Sequence, residues 1–151
     1  MTSFEPPPDL GVIAHGVDLC EERRIVEMVE RHGDSFLERV FTSGEREYAH
    51  PGGRLRGERL AARFAAKEAV LKALGTGWRG GIAWTDVEVV RHGSGQPRIR
   101  LAGEAAAVAS RRGIVSWHLS LSHVAGLAMA SVIACGPRPP ADRSPADSIR
   151  S

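Results

Sequence analysis

The stretch RGERLAARFAAKEAVLKALGTG, residues 56–77, decides the fold of this chain. It predicts a helix from about Arg56 to Leu74, which ends at Gly75-Thr76-Gly77 because glycine readily adopts the left-handed conformation that closes helices. At about 100° per residue, one face of this helix is an apolar stripe formed by Leu60, Phe64, Leu71 and Leu74. The opposite face is almost wholly alanine, at positions 62, 65, 66, 69 and 73. Because small residues allow another element to approach closely, the helix is predicted to be central.

Three charged residues interrupt this pattern. Lys67 projects into the apolar stripe, Glu68 lies at its flank, and Lys72 follows Glu68 by one turn. The ordinary interpretation of Glu68 and Lys72 is a surface pair that contributes about 0.2–0.5 kcal/mol. The ordinary interpretation of Lys67 is an aliphatic stem along the core edge with its amine in water. Composition alone leaves both interpretations open beside a functional one.

The flanking sequence predicts further helices and mostly hairpin-linked strands. The predicted strands are Gly11–Leu19, Trp84–Val90, Pro97–Leu101, Trp117–Ser122 and Leu127–Ile133. The predicted helices are Glu21–His32, Ser35–Val40 and Glu104–Arg111, and Thr42-Ser43-Gly44-Glu45 has the spacing of a capping box at another helix start. This mixture predicts an α+β fold with a largely antiparallel sheet packed on the long central helix.

The chain is long enough for one domain, which we predict over residues 11–135 of 151. Residues 1–10 and 136–151 are predicted to be flexible tails, the second one Pro-rich and disordered. No basic and apolar leader opens the chain, and no apolar run approaches the ~20 residues that span a bilayer. Cys20 and Cys135 lack metal-site spacing, so a reducing, cytoplasmic location is expected.

Basic residues are concentrated in one segment although the net charge is only +2. From Arg46 to Lys72 there are seven basic and three acidic residues, a balance that suits a phosphorylated ligand or an acidic partner. Nucleic-acid binding is disfavoured because few aromatic residues are interleaved with the basic ones.

The strand predicted over Trp117–Ser122 places His118, Ser120 and Ser122 on one face. A Ser/His hydrolase is disfavoured because no G-x-S-x-G motif is present. An ordinary half-exposed strand remains open as an interpretation.

Five segments resemble, in order, motifs of the holo-[acyl-carrier-protein] synthases, which are 4′-phosphopantetheinyl transferases. They are Gly16-Val17-Asp18 with Arg24-Ile25, Arg39 to Glu45, Arg63 to Ala69 continuing through Lys72 to Gly77, Gly95-Gln96-Pro97, and His118 to His123. Together they extend over roughly residues 11–133. The resemblance implies a small α+β phosphopantetheinyl-transferase-like domain.

The resemblance also implies an activity. A magnesium-dependent reaction would transfer phosphopantetheine from coenzyme A to a serine of an apo acyl carrier protein in fatty-acid biosynthesis, releasing adenosine 3′,5′-bisphosphate. Asp18 and Glu68 match the metal-binding carboxylates, and Mg²⁺ prefers such oxygen ligands. Lys72 matches the lysine beside the phosphates. The general base would be either Glu68 or a magnesium-bound water.

Three further assignments come from the same resemblance. Arg63 and His118 match contacts to the nucleotide end of coenzyme A, including its 3′-phosphate. Arg24 matches an arginine that meets the acidic helix of the carrier protein. A homotrimer with sites formed between subunits is the expected assembly.

Two other functions remain in competition with this one. The first keeps the chemistry but transfers the arm to a polyketide or peptide synthetase carrier domain. The second is a non-catalytic module that binds an acidic partner or a nucleotide through residues 46–72, and it predicts binding without transfer.

Overall fold

The structure, a computed structural model, describes residues 9–138. Its strands are β1 (Leu10–Glu21), β2 (Val87–Arg91), β3 (Pro97–Leu101), β4 (Ser116–Val124) and β5 (Leu127–Pro137). Its helices are α1 (Glu22–Val40), α2 (Ser43–Ala49), α3 (Arg56–Leu74) and α4 (Gly103–Arg111). Short 3₁₀ turns occupy His50–Leu55 and Trp84–Asp86.

The strands form two antiparallel sheets. One sheet has the order β1-β5-β4, and the other is the β2-β3 hairpin, whose strand β3 lies beside β4. Helix α3 packs across β1 and β5. The predicted α+β fold, with antiparallel strands on a long central helix, is therefore confirmed.

Several boundaries differ from the predicted ones. The two helices predicted before residue 41 form one element with a break at Gly33, whose φ of 53° is outside the helical range. The segment predicted as a strand from Trp84 begins with a 3₁₀ turn, and its strand starts at Val87. Strands β1 and β5 extend to Leu10 and Pro137, slightly beyond the domain limits predicted at 11 and 135. Residues 1–8 and 139–151 of the predicted tails lie outside the described residues.

The two faces of the three-stranded sheet have different environments. The face toward α3 is buried and carries the small or β-branched residues Ala128, Ala130, Val132 and Ala134 of β5. We call the other side the open sheet face; it carries Val17, Leu19, Met129 and Ile133, which are all exposed. Among residues 9–138, no helix has the length and apolar content needed to cross a membrane.

Strand β1 makes its closest approach to α3 at Gly16. A Cβ atom built at this position would lie 1.9 Å from the carbonyl oxygen of Ala69 and 3.0 Å from the amide nitrogen of Ala73. Only glycine avoids this overlap, because both neighbouring atoms belong to helix backbone. The alanine face of α3 thus receives a neighbouring strand at backbone distance, as its small residues predicted.

We expect Gly16→Ala to destabilise the fold by about 1–3 kcal/mol, because the added methyl group forces β1 and α3 apart. Gly11→Ala in the same strand is the matched control, since a Cβ there meets only the Arg138 side chain at 3.6 Å or more. Urea denaturation of both variants measures the difference. Equal midpoints for the two variants would contradict this account of the β1–α3 contact.

Candidate functional site

The β1–α3 contact brings Asp18 to Lys72. Asp18 lies two residues after Gly16, on the α3 side of β1, and its side chain is 16% exposed. Lys72 Nζ donates to Asp18 Oδ1 at 2.8 Å and to the Val17 carbonyl oxygen at 3.1 Å. The Lys72 side chain is 56% exposed, so this ion pair is a weak one that solvent can replace.

Glu68 lies on α3 one turn before Lys72, and its carboxylate is part of the same neighbourhood. The Trp78 indole donates from Nε1 to Glu68 Oε1 at 3.3 Å. Burial is the main factor that raises the pKa of the Cys20 thiol to about 11; nearby Arg24 opposes the shift, and the carboxylates of Asp18 and Glu68 both add to it. Glu68 and Lys72 are four residues apart on α3 and so share one helix face, and Lys72 pairs with Asp18, so the two carboxylates lie on the same side of the molecule.

The side chains of this region are too few to hold a metal ion alone, but they suit a magnesium ion that also binds substrate. Within residues 9–138, no three His, Cys, Asp or Glu side chains gather closely enough to hold a metal ion by themselves. Two carboxylates nevertheless match Mg²⁺, which commonly takes one or two carboxylates and completes its shell with substrate phosphates and water. Asp18 and Glu68 therefore fit a cation that binds together with a phosphorylated substrate.

An aromatic stack borders these carboxylates. The Trp78 and Trp84 ring centroids are 3.4 Å apart, and Trp84 stacks on Phe64 at 4.8 Å. The Arg24 guanidinium lies 5.8 Å from the Phe64 centroid, and Arg24 is exposed to solvent. Arg24 is thus on an accessible surface of α1 beside Phe64, which precedes Glu68 by one turn of α3.

Arg63 belongs to a different cluster. Its guanidinium lies 3.9 Å from the Tyr48 ring centroid, and the guanidiniums of Arg59 and Arg91 lie 4.9 and 4.8 Å from the same ring. We call these three residues the arginine cluster. Among the described residues, none of the three forms a salt bridge, and Arg63 Nε is buried without a hydrogen-bond partner. Burial is the main factor that lowers the pKa of Arg63; Tyr48 and the Glu45 carboxylate oppose this shift, and the positive charge of Arg91 adds to it.

Lys67 has a structural role that differs from the solvent-reaching one considered above. Its side chain is fully buried, and Nζ lies 2.8 Å from Oε2 of the equally buried Glu45. Nζ also donates to the carbonyl oxygens of Trp84, at 3.0 Å, and Val87. Burial lowers the pKa of Lys67, and Glu45 opposes that shift. Glu45 is also the acid of the predicted capping box with Thr42, which is confirmed.

His118 does not join the other predicted site residues within one chain. It lies in β4 opposite Ile133 of β5, and it is exposed on the open sheet face, away from α3. The fold thus brings Asp18, Glu68, Lys72 and Arg24 into one region. It places Arg63 in the arginine cluster and His118 on the opposite side of the sheet.

Sequence reasoning missed four residues that the structure adds to these clusters: Tyr48, Arg59, Trp78 and Arg91. Arg59 offered one signal, because it precedes Arg63 by four residues and so shares its helix face. Trp78 and Arg91 reach their partners through a loop and a strand, which no local spacing reveals.

Comparison with known proteins relates the whole domain to one family. A model of the 4′-phosphopantetheinyl transferase superfamily matches residues 14–130. The holo-[acyl-carrier-protein] synthase of Solibacter usitatus is 47% identical over 122 residues, which are 81% of this chain and 97% of that protein.

Solved structures agree with the sequence comparison. The holo-[acyl-carrier-protein] synthase from Neisseria meningitidis has a TM-score of 0.74 at 29% identity, covering 82% of this chain and 98% of that one. The Helicobacter pylori enzyme, solved in complex with coenzyme A, has a TM-score of 0.69 at 30% identity, covering 80% and 98%. The chain belongs to the 4′-phosphopantetheinyl transferase superfamily, and the resemblance noted in its sequence is confirmed.

Proposed function

We propose that this chain transfers 4′-phosphopantetheine from coenzyme A to a serine of an apo acyl carrier protein, releasing adenosine 3′,5′-bisphosphate. The observation that carries the proposal is the convergence of Asp18, Glu68 and Lys72 where β1 meets α3, because Lys72 pairs with Asp18 and Glu68 lies one helical turn before Lys72. The names of the relatives and the coenzyme A bound to the Helicobacter pylori enzyme support it. We place the reaction in the cytoplasm and its product in fatty-acid biosynthesis.

Asp18 and Glu68 would hold a magnesium ion together with the pyrophosphate of coenzyme A. When bound, the ion supplies positive charge that neutralises the phosphates as the bond to the leaving group breaks. Asp18 is oriented by β1, and Glu68 by α3 and the Trp78 hydrogen bond. Both carboxylates are therefore held by regular structure before substrate arrives, which limits the reorganisation that binding requires.

Lys72 would stabilise the transferring phosphoryl group. Its exposed amine pairs with Asp18 in this structure, and an exposed pair is worth only about 0–1 kcal/mol. Lys72 can therefore release Asp18 at little cost and donate to the phosphate oxygens instead. A positive charge at this point acts on the negative charge that builds on the departing phosphate.

The serine hydroxyl must lose its proton as its oxygen attacks the phosphorus that bears pantetheine. The P–O bond to adenosine 3′,5′-bisphosphate breaks, and the proton passes to Glu68 or to a water beside it.

Asp18→Ala and Glu68→Ala should each lower transfer by at least about 10²–10³-fold while leaving the fold intact, because each removes a carboxylate that would hold the cation needed to neutralise the pyrophosphate. The mass increase of an apo-carrier incubated with coenzyme A measures transfer. Glu104→Ala on α4 is the matched control, because Glu104 forms an exposed ion pair with Arg111 outside the site. A chelator should stop transfer by the wild-type protein.

Near-normal turnover in either site variant would refute the role of these carboxylates. Unchanged binding of coenzyme A with no transfer by the wild-type chain would favour the non-catalytic module instead. Comparing apo-carriers from fatty-acid, polyketide and peptide synthetase systems in the same assay identifies the preferred carrier.

The arginine cluster would bind the 3′-phosphate of coenzyme A. Three guanidiniums surround one ring, and within the described residues no carboxylate forms a salt bridge with any of them. Such a cluster is stabilised by a phosphate dianion, which guanidinium groups recognise in a bidentate manner. Arg59 and Arg91 would assist Arg63 in this role.

Arg63→Ala should raise the KM for coenzyme A by roughly 10–100-fold, the equivalent of one lost charged hydrogen bond. The KM for dephospho-coenzyme A, which lacks the 3′-phosphate, should change little. Steady-state kinetics measure the KM values for the two substrates. Arg98 is an exposed arginine of β3, and Arg98→Ala is the control. An equal rise for both substrates would contradict the assignment of the phosphate to this cluster.

Arg24 would meet the acidic carrier protein. Its exposure on α1, next to the carboxylates and the Phe64 ring, supports this role, because the carrier serine must reach the same region. Arg24→Glu should weaken carrier binding about tenfold or more through like-charge repulsion, with little effect on coenzyme A affinity. Calorimetric titration with carrier and with coenzyme A separates the two affinities, and Arg98→Glu controls for the change in net charge. Equal loss of both affinities would contradict a carrier-specific role.

A homotrimer with sites between subunits would explain the position of His118. The open sheet face exposes large apolar residues, including Leu19 at 58%, and such a face is typical of a protein interface. A neighbouring chain packed there could receive His118 into its own site. His118 would then contact the nucleotide bound by the neighbour.

Mixing inactive Glu68→Ala chains with impaired His118→Ala chains should restore activity, because some sites then combine an intact Glu68 with an intact His118. Random exchange predicts recovery of roughly a quarter of the sites. Transfer assays after subunit exchange, with light scattering for the mass, provide the measurement. A monomeric mass, or no recovery after demonstrated exchange, would contradict the shared site.

A further inference from the structure

We infer that Trp78 is a positioning residue for Glu68. The indole N–H of Trp78 holds one carboxylate oxygen of Glu68 and leaves the other oxygen free for a divalent cation. The inference rests on the proposed function and adds a residue to its metal site. Its basis is the bond from Trp78 Nε1 to Glu68 Oε1, 3.3 Å long, in a partly buried environment.

After α3 the chain turns back, so that Trp78 packs against the helix that precedes it. Gly75 closes α3 with a φ of 69°, and Gly77 has a φ of 55°. A side chain at either position would be strained, because L-residues rarely adopt this left-handed region. The two glycines thus reverse the chain within three residues and bring the indole back to the carboxylate of Glu68, six residues before the helix end.

The indole is fixed by the aromatic stack. Trp78 lies against Trp84, and Trp84 stacks on Phe64, which precedes Glu68 by one helical turn. The Trp84 carbonyl oxygen in turn accepts a hydrogen bond from the buried Lys67 amine. Because the stack is anchored at both Phe64 and Lys67, the indole N–H has a defined direction toward Glu68.

An indole suits this task better than a charged side chain. It can only donate, through a single N–H, so it orients the carboxylate without competing with the cation for that carboxylate, as a lysine ammonium would. Hydrogen bonds that hold metal-binding carboxylates commonly contribute 10–100-fold in metal affinity. Asp18 has no such neutral donor among its described side-chain contacts; its partner is the exposed Lys72.

The test compares Trp78→Phe with Trp84→Phe. Both variants keep an aromatic ring in the stack, but only the first removes the N–H that holds Glu68. We expect Trp78→Phe to bind Mn²⁺ about tenfold or more weakly in the presence of coenzyme A, measured by electron paramagnetic resonance of free Mn²⁺. Trp84→Phe should stay within about twofold of the wild type. Equal Mn²⁺ affinity of folded Trp78→Phe and Trp84→Phe would overturn the inference.

A second measurement keeps both tryptophans, so it does not require a tryptophan variant to fold. The indole ¹⁵N–¹H resonance of Trp78 should shift in Glu68→Gln and stay in place in Glu104→Gln, because only Glu68 accepts its proton. A Trp78 resonance that is unmoved by Glu68→Gln would overturn the inference. If Glu68→Ala abolishes transfer but Trp78→Phe keeps normal Mn²⁺ affinity, this inference fails alone; if Glu68→Ala transfers normally, the proposed site fails with it.

Discussion

The absence of a side chain at Gly16 is the constraint on which the rest of the structure depends. It lets the backbone of β1 lie against the backbone of α3, and a single Cβ atom would overlap the Ala69 carbonyl oxygen. Asp18 follows two residues later on the same side of the strand, so it reaches Lys72 directly. Two acids that are fifty residues apart in sequence thereby share one neighbourhood, because a strand and a helix can approach so closely only where both present minimal side chains.

The buried pair of Lys67 and Glu45 fixes the orientation of α3 from its other side. Lys67 links α3 to α2 through Glu45, to the 3₁₀ turn before β2 through the Trp84 carbonyl oxygen, and to the start of β2 through the Val87 carbonyl oxygen. Glu45 also accepts from the amides of Thr42 and Val89, so both carboxylate oxygens are satisfied. Breaking such a pair typically costs 3–5 kcal/mol, since it leaves a buried charge uncompensated. These contacts oppose rotation of α3 about its axis and so help to fix the direction of Glu68, the next residue.

Local patterns in the sequence were sufficient to predict the helices and strands, but not the contacts between them. The bounds of α3 and the capping box at Thr42 were predicted correctly, because helix periodicity, a terminal glycine and a four-residue motif are all local signals. The burial of Lys67 was not, since its partner Glu45 is 22 residues away on another helix. The convergence of Asp18 with Glu68 was expected only from the family resemblance, because no spacing along one chain encodes a contact between β1 and α3. The alternation of residues in β4 predicted that His118 shares a face with Ser120 and Ser122, but it did not predict that this is the open sheet face.

Helix α3 also sets the separation between the two charged regions of the molecule. Arg63 precedes Glu68 by five residues, which corresponds to about 7.5 Å along the helix axis. Helix α3 therefore fixes the spacing along its axis between Arg63 of the arginine cluster and Glu68. Neither region alone selects a ligand with phosphates at both ends of a nucleotide, because arginines bind many anions and carboxylates bind many cations. If the carboxylates hold a cation and the arginines hold a phosphate, as we propose, a ligand in the reactive position would have to satisfy both regions at the spacing that the helix sets.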